Sequence, residues 1–161
     1  MRNMPPYLFI PHTTLKTLYM ALIKSYRGIS PQFGRECYLS ENATIVGDVR
    51  MGDECSIWFN AVLRGDVGAI RLGDRVNVQD NAILHATNAV LRGDVARVIL
   101  GNRCNVQDGS CLHVTNFGGK DRPSEDFING NDIMLEDDVT VGHNATLHAC
   151  HIKRGALIGM G

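Results

Sequence analysis

At 161 residues the chain is long enough to form one domain with a buried core. Its formal charge of −1, with 20% charged residues, shows no bias towards nucleic acid or a membrane surface, so neither is expected as a partner. Five cysteines without a CxxC pair predict a reduced, cytoplasmic protein.

The first 19 residues differ from the rest of the chain. They lack the repeat described next, and Pro5, Pro6 and Pro11 interrupt their short apolar run. We expect residues 1–19 to be a disordered N-terminal extension and residues 20–161 to form the folded domain.

An aliphatic residue recurs every six positions along most of residues 39–158. A period of six is neither the 3.6 of a helix nor the two of an ordinary strand, and such a repeat predicts a solenoid. One short strand per hexad and three strands per turn give an all-β triangular prism, in which each coil buries its apolar side chains against its neighbours. The repeat positions are Leu39, Ile45, Met51, Ile57, Leu63, Leu72, Val78, Leu84, Leu91, Leu100, Val106, Leu112, Leu135, Val141 and Leu147.

Four separated motifs narrow this prediction: Ser-Ile-Trp-Phe-Asn-Ala-Val-Leu-Arg-Gly-Asp (56–66), Asn-Val-Gln-Asp (77–80 and 105–108), Val-Gly-His (141–143) and Leu-His-Ala-Cys (147–150). With them, the chain from about residue 20 to 161 resembles the γ-class carbonic anhydrases of the hexapeptide-repeat family. The resemblance implies a left-handed parallel β-helix and a homotrimer whose metal sites are shared between protomers. It also implies reversible hydration of carbon dioxide, a small-molecule substrate, to bicarbonate by zinc-bound hydroxide.

One stretch departs from that family because its motifs occur twice. Residues 60–87 are followed at once by a second version, residues 88–115. The duplicated residues are Arg64 and Arg92, Asp66 and Asp94, Gln79 and Gln107, Asp80 and Asp108, and His85 and His113.

Counting hexads predicts which copy carries the site. With Leu91 taken as a strand position, Leu91, Leu112 and Leu147 share one face of the prism, and Leu84 lies on the next face. The two copies then lie on different faces, and His85 is structural. The alternative is a single long excursion over residues 86–134, which would leave His85 on the ligand face and expose Leu100, Val106 and Leu112.

The same count stacks Arg92, His113 and His148 in successive coils, so the two histidines can bind one metal because parallel strands lie about 4.8 Å apart. His143 lies on the neighbouring face, and the resemblance implies that it serves an adjacent protomer. The predicted metal ligands are His113, His143 and His148; the predicted catalytic residues are Arg92, Asp94, Gln107 and Asp108. Gln107 and Asp108 are expected to orient the bound water or a ligand histidine.

Residues 116–132 interrupt the hexads with a Gly-, Asp- and Asn-rich stretch, predicted as a loop that either covers the site or is a tolerated insertion. The chain stops at Gly161 within the repeat, so the C-terminal helix typical of the family is expected to be missing, as in a truncated protein.

Other functions remain open. A hexapeptide-repeat acyltransferase would use one histidine as a general base, and a third alternative is a metal-binding homologue without significant activity. No glutamate lies near Asp94 or His113 to move protons, and Glu125 in the loop is the nearest substitute. Zinc is the expected metal, with iron and cobalt as alternatives that imidazole also suits.

Overall fold

The computed structural model describes residues 21–86, 96–114 and 132–161. These residues form a parallel β-helix of short strands, as the six-residue repeat predicts, and no helix occurs within the described ranges. In chain order the strands are β1 Leu22–Lys24, β2 Tyr38–Leu39, β3 Thr44–Met51, β4 Ser56–Ile57, β5 Val62–Leu72, β6 Asn77–Val78, β7 Ile83–His85, β8 Val98–Leu100, β9 Asn105–Val106, β10 Cys111–His113, β11 Ile133–Leu135, β12 Thr140–Val141, β13 Thr146–His148, β14 His151–Ile152 and β15 Leu157–Ile158.

The strands stack in three parallel columns, which are the three faces of the prism. The first face runs β1, β3, β5, β7, β10, β13, and the third runs β2, β4, β6, β9, β12, β15. The second face runs β3, β5, β8, β11, β14, because the long strands β3 and β5 bend around a corner and serve two faces each. The fold is the left-handed β-helix of hexapeptide repeats that the sequence predicts.

Interior side chains form ladders along each face. On the first face Ile45, Leu63, Leu84, Leu112 and Leu147 are in register, and each is at most 8% exposed. Each coil buries its aliphatic residues against the coils above and below, so the core is a continuous column.

The corner between the third and first faces is turned by residues with left-handed backbone. Asn60, Asn81 and Asn144 have φ near 58°, and Gly109 holds the equivalent place with φ 68°. Asparagine and glycine tolerate this conformation better than other residues. The sequence therefore places the right residue types where the chain bends just before each first-face strand.

The predicted placement of the two copies on different faces is wrong. Leu112 pairs with Leu84 and His113 pairs with His85, so both copies lie on the first face. Leu84, Leu100, Val106 and Leu112 complete one turn, and Leu91, which the count took as a strand position, lies outside the described residues. The long-excursion alternative is also wrong, because Leu100, Val106 and Leu112 are buried in the core.

The extra residues all enter at one corner, between the first and second faces. Three hexads suffice from Ile45 to Leu63, whereas the next first-face pairs lie 21, 28 and 35 residues apart in sequence, at Leu63, Leu84, Leu112 and Leu147. The second and third faces keep strict six-residue spacing between successive strands. Counting hexads through this corner is what displaced the predicted register.

Two segments outside the described residues adjoin this corner. The described chain stops after Ala86 and Val114, one residue past His85 and His113, and resumes at Ala96 and Asp132. Asp132 is 1% exposed and accepts hydrogen bonds from the Arg97 backbone nitrogen (2.7 Å) and guanidinium (2.8 Å). The predicted extension, residues 1–19, and the predicted loop up to residue 131 lie outside the described residues.

Two of the five cysteines serve as small core residues. All five are free thiols, and Cys55 and Cys104 are buried. Burial raises the pKa of the Cys55 thiol to about 11, so it is uncharged at neutral pH.

Candidate metal centre

The most prominent polar feature is a row of histidines along the first face. His85, His113 and His148, here called the histidine column, are in register in three successive coils, each one residue after a buried leucine. Because side chains alternate across a strand, the leucines point inward and the imidazoles point outward. The sequence prediction that His113 and His148 stack is confirmed by this register.

The spacing of the rings matches the spacing of the strands. The ring centroids of His113 and His148 lie 5.3 Å apart with an interplanar angle of 17°, and those of His85 and His113 lie 5.5 Å apart at 51°. We call His113 and His148 the upper pair, and His85 and His113 the lower pair. The coil below His113 carries His85, so the prediction that Arg92 fills that position is wrong.

Below the column lies Arg64, paired in register with His85. Its Nη2 donates a hydrogen bond of 2.5 Å to Nε2 of His85, and its Nε lies 3.3 Å from Oδ1 of Asp66. The same Asp66 oxygen lies 3.5 Å from Nε2 of His85. Burial, with a further contribution from the Arg64 charge, lowers the pKa of His85, which favours the neutral imidazole that accepts this bond.

A second column stands at the corner between the third and first faces. Asp80, Asp108 and His143 each follow a third-face valine by two residues, and those valines are in register. Oδ1 of Asp80 accepts the Phe59 backbone N–H at 2.9 Å, and Oδ1 of Asp108 accepts the Asp80 backbone N–H at 3.1 Å. Both aspartates therefore form hydrogen bonds between successive coils.

Asp108 has a further partner. Its Oδ2 lies 3.1 Å from Nδ1 of His143, and both side chains are partly exposed. A carboxylate at Nδ1 fixes the ring so that Nε2 carries the free lone pair, which is the usual support for a metal-binding histidine. The orienting role of Asp108 stays a prediction.

The predicted catalytic residues divide between described and undescribed parts of the chain. Gln107 precedes Asp108 at the end of β9, where its backbone N–H donates to the Val141 carbonyl at 3.0 Å. A shallow depression beside it is lined by Trp58, Asn77, Gln79, Asp80 and Asp108. Arg92 and Asp94 lie outside the described residues.

One chain supplies some, but not all, of the ligands that a three-histidine metal site needs. The upper pair presents two outward imidazoles in adjacent coils, and imidazole suits zinc, iron and cobalt. Across residues 21–86, 96–114 and 132–161, no group of three His, Cys, Asp or Glu side chains is placed to hold a metal by itself. His143 lies at a different corner, so a three-histidine site needs a donor from another copy.

Sequence reasoning missed the contact of Arg64 with His85 and Asp66. Arg64 and His85 are 21 residues apart, which is one coil, and Asp66 follows Arg64 by two residues. The signal available in the sequence was the series of ladder positions Leu63, Leu72, Val78 and Leu84, which completes one turn and so places His85 in register with Arg64.

Comparisons with known proteins agree with the predicted resemblance, although no protein-family model matches the chain. A carbonic anhydrase of Geobacillus kaustophilus (strain HTA426) is 34% identical over 140 residues, which are 87% of this chain and 54% of that protein. The mitochondrial gamma carbonic anhydrase 2 of Arabidopsis thaliana is 31% identical over 132 residues, 82% of this chain and 35% of that protein.

Among solved structures, a hexapeptide transferase family protein from Anaplasma phagocytophilum is 24% identical, with a TM-score of 0.40, over 87% of this chain and 76% of that one. The chain thus resembles γ-class carbonic anhydrases over most of its own length, and it spans about half the length of the first curated relatives it matches. No helix in the described part of the chain is long and apolar enough to cross a membrane.

Proposed function

We propose that the chain forms a zinc site of the γ-carbonic anhydrase type and hydrates carbon dioxide reversibly to bicarbonate. The observation that carries this proposal is the register of His113 with His148, which brings two outward imidazoles to 5.3 Å. Three imidazoles with an open fourth position are the ligand set of hydrating zinc sites, as opposed to closed structural ones. His143 of a neighbouring copy is the proposed third ligand.

Each residue has a proposed task. His113 and His148 hold the metal through neutral ring nitrogens, and Asp108 keeps Nε2 of His143 free for coordination through the 3.1 Å contact at Nδ1. Zinc held by these residues would lower the pKa of a water molecule to near 7 and so supply a nucleophile at neutral pH. Gln107 is proposed to hydrogen-bond water or substrate beside Asp108, and Arg92 and Asp94 remain candidates through the family resemblance.

We propose a homotrimer as the working assembly. His143 and the upper pair lie at different corners of the prism, so a site that uses all three histidines joins two copies. Three-fold closure satisfies every such site at once. A monomer by light scattering that still binds zinc tightly through three histidines would contradict the shared site.

The proposed compartment is the cytoplasm. All five cysteines are free, and the two buried ones serve as core residues. Reduced thiols are the rule in cytosolic proteins.

The test combines a measurement of bound metal with a measurement of the rate of carbon dioxide hydration. The purified protein, reconstituted with zinc under anaerobic conditions, is expected to retain metal through gel filtration and to accelerate carbon dioxide hydration in stopped flow. Failure to bind zinc, iron or cobalt would overturn the proposal. Metal binding without hydration would identify a homologue without this activity, and acyl transfer that resists chelators would favour the acyltransferase alternative.

A further inference from the structure

The histidine column offers a metal two adjacent pairs of imidazoles. The lower pair, at 5.5 Å, is spaced almost like the upper pair, at 5.3 Å. Both pairs include His113, whose ring has a single lone pair for a metal when it is neutral. A metal ion bound to His113 can therefore share it with either His148 or His85, but not with both. The surroundings of the two outer histidines then decide which pair binds the metal.

The two ends of the column differ in what they contact. At the upper end, His148 is exposed and stacks on His113. At the lower end, the Arg64 guanidinium occupies Nε2 of His85 at 2.5 Å and lies 3.3 Å from Oδ1 of Asp66. Guanidinium is always protonated and only donates, so it takes the lone pair that a metal at His85 would need.

The positive charge of Arg64 also lies where His85 and Asp66 would attract a cation. The side chains of His85 and Asp66 are 15% and 19% exposed, and their facing atoms lie 3.5 Å apart. A neutral imidazole and a carboxylate that converge in this way form an acceptor site for a cation. The arginine side chain fills that site from within the chain.

We propose that the lower pair is a latent second metal site, formed by His85 and His113 with Asp66 beside them, and that Arg64 keeps it closed by serving as its cation. The inference rests on the proposed metal site of the upper pair. The latent site would take a divalent ion of the class that a pair of imidazoles binds, such as zinc or cobalt. Arg64 thereby directs the metal to His113 and His148, where His143 of another copy can complete the ligand set.

The test opens the latent site after the upper pair has been broken. Cobalt(II) is titrated into the full-length protein, with binding followed by its visible absorption and by metal analysis, and folding followed by circular dichroism. His148→Ala is expected to lose at least tenfold in cobalt affinity, since even changes around the ligands cost about 10- to 100-fold. Adding Arg64→Ala to His148→Ala is expected to restore at least tenfold.

Two controls make the result specific. His148→Ala with Arg64→Lys keeps a cation at the lower end and is expected to stay weak. His148→Ala with Arg64→Ala and His85→Ala lacks the lower pair and is also expected to stay weak.

The possible failures are distinguishable. A folded His148→Ala/Arg64→Ala protein that binds no better than His148→Ala, while the unsubstituted protein binds cobalt, would overturn the latent site alone. If the unsubstituted protein does not bind cobalt or zinc, the proposed function fails first. Recovery that persists when His85→Ala is added would also overturn the assignment, because the restored binding would then not involve His85.

Discussion

The two copies of the duplicated segment carry the same motif but have different surroundings. Residues 60–87 and 88–115 each carry a histidine on the first face two residues before their last residue, and these histidines, His85 and His113, are in register. His85 accepts a hydrogen bond from Arg64 in the coil below, whereas His113 lies between two other imidazoles. In a stacked fold, the neighbours above and below decide what an identical side chain can do.

The aspartates of the two copies repeat this contrast. Asp80 and Asp108 both accept a backbone N–H from the preceding coil, but only Asp108 has His143 next to it at 3.1 Å. The structural task is therefore shared by both copies, and the proposed chemical task belongs to the second. Substitutions made in pairs, one in each copy, separate these two contributions.

The largest expected effect is on the free energy of unfolding, and it tests whether the two copies contribute equally to the stability of the β-helix. Leu84→Ala and Leu112→Ala each remove a fully buried side chain from the same ladder, so each should lower the free energy of unfolding by about 2–5 kcal/mol. Urea denaturation measures both. Ile83→Ala, at an outward position 42% exposed, is the control and should change stability by about 0.5 kcal/mol or less. A loss at Leu84 with none at Leu112 would show that the second copy is not part of the coil.

A smaller effect should separate the two aspartates. Asp108→Asn keeps an oxygen for the Asp80 backbone N–H but weakens the hold on Nδ1 of His143, so zinc affinity should fall about 10- to 100-fold. Asp80→Asn is the matched control and should leave zinc affinity unchanged. Competition with a chromogenic chelator measures both affinities. Equal losses in the two variants would mean that the contact with His143 does not support the ligand.

The smallest effect concerns an ion pair that only the first copy has. Arg71 contacts Asp48 at 2.8 Å, whereas its register partner in the second copy is Ile99. The hydrogen bond from Arg71 lowers the pKa of Asp48, which its own burial opposes. A lowered pKa in the folded state stabilises the protein above the usual carboxyl pKa of about 3.9, and this contribution is lost as the pH falls through the lowered value.

Arg71→Ile, which copies the second coil, should therefore cost about 1 kcal/mol or less at pH 7. The difference from the unsubstituted protein should shrink when urea denaturation is repeated well below pH 4. A difference of the same size at both pH values would show that the pair contributes through packing and not through charge.

Much of this architecture could be predicted from the sequence because the ladder residues are repeated strictly. Leu100, Val106 and Leu112 follow one another at intervals of six, and all are buried as the repeat requires. The stacking of His113 on His148 could be predicted for the same reason, since each histidine follows a ladder leucine.

The register of the second copy against the first could not be obtained by counting hexads. A β-helix tolerates extra residues wherever the chain can leave and rejoin a corner, since longer surface loops cost little free energy. In the repeated sequence Leu91 is the counterpart of the ladder residue Leu63, yet Leu100 is the next ladder residue on the second face. Sequence spacing alone does not distinguish a hexad within the coil from one within an insertion.

The contact of Arg64 with His85 follows from the pairing of Leu63 with Leu84 and was not predicted. Once Leu63 is placed against Leu84, Arg64 necessarily meets His85 in the next coil. This contact is what distinguishes the surroundings of His85 from those of His113.

The most direct measurement of the central claim is a zinc titration of His113→Ala and His85→Ala, monitored by calorimetry with folding checked by circular dichroism. His113 belongs to the upper pair, so His113→Ala should lose at least 100-fold in zinc affinity, more than changes around the ligands usually cost. His85 is held by Arg64, so His85→Ala should bind zinc as the unsubstituted protein does. Zinc lost in His85→Ala and retained in His113→Ala would contradict the assignment of the metal to the second copy.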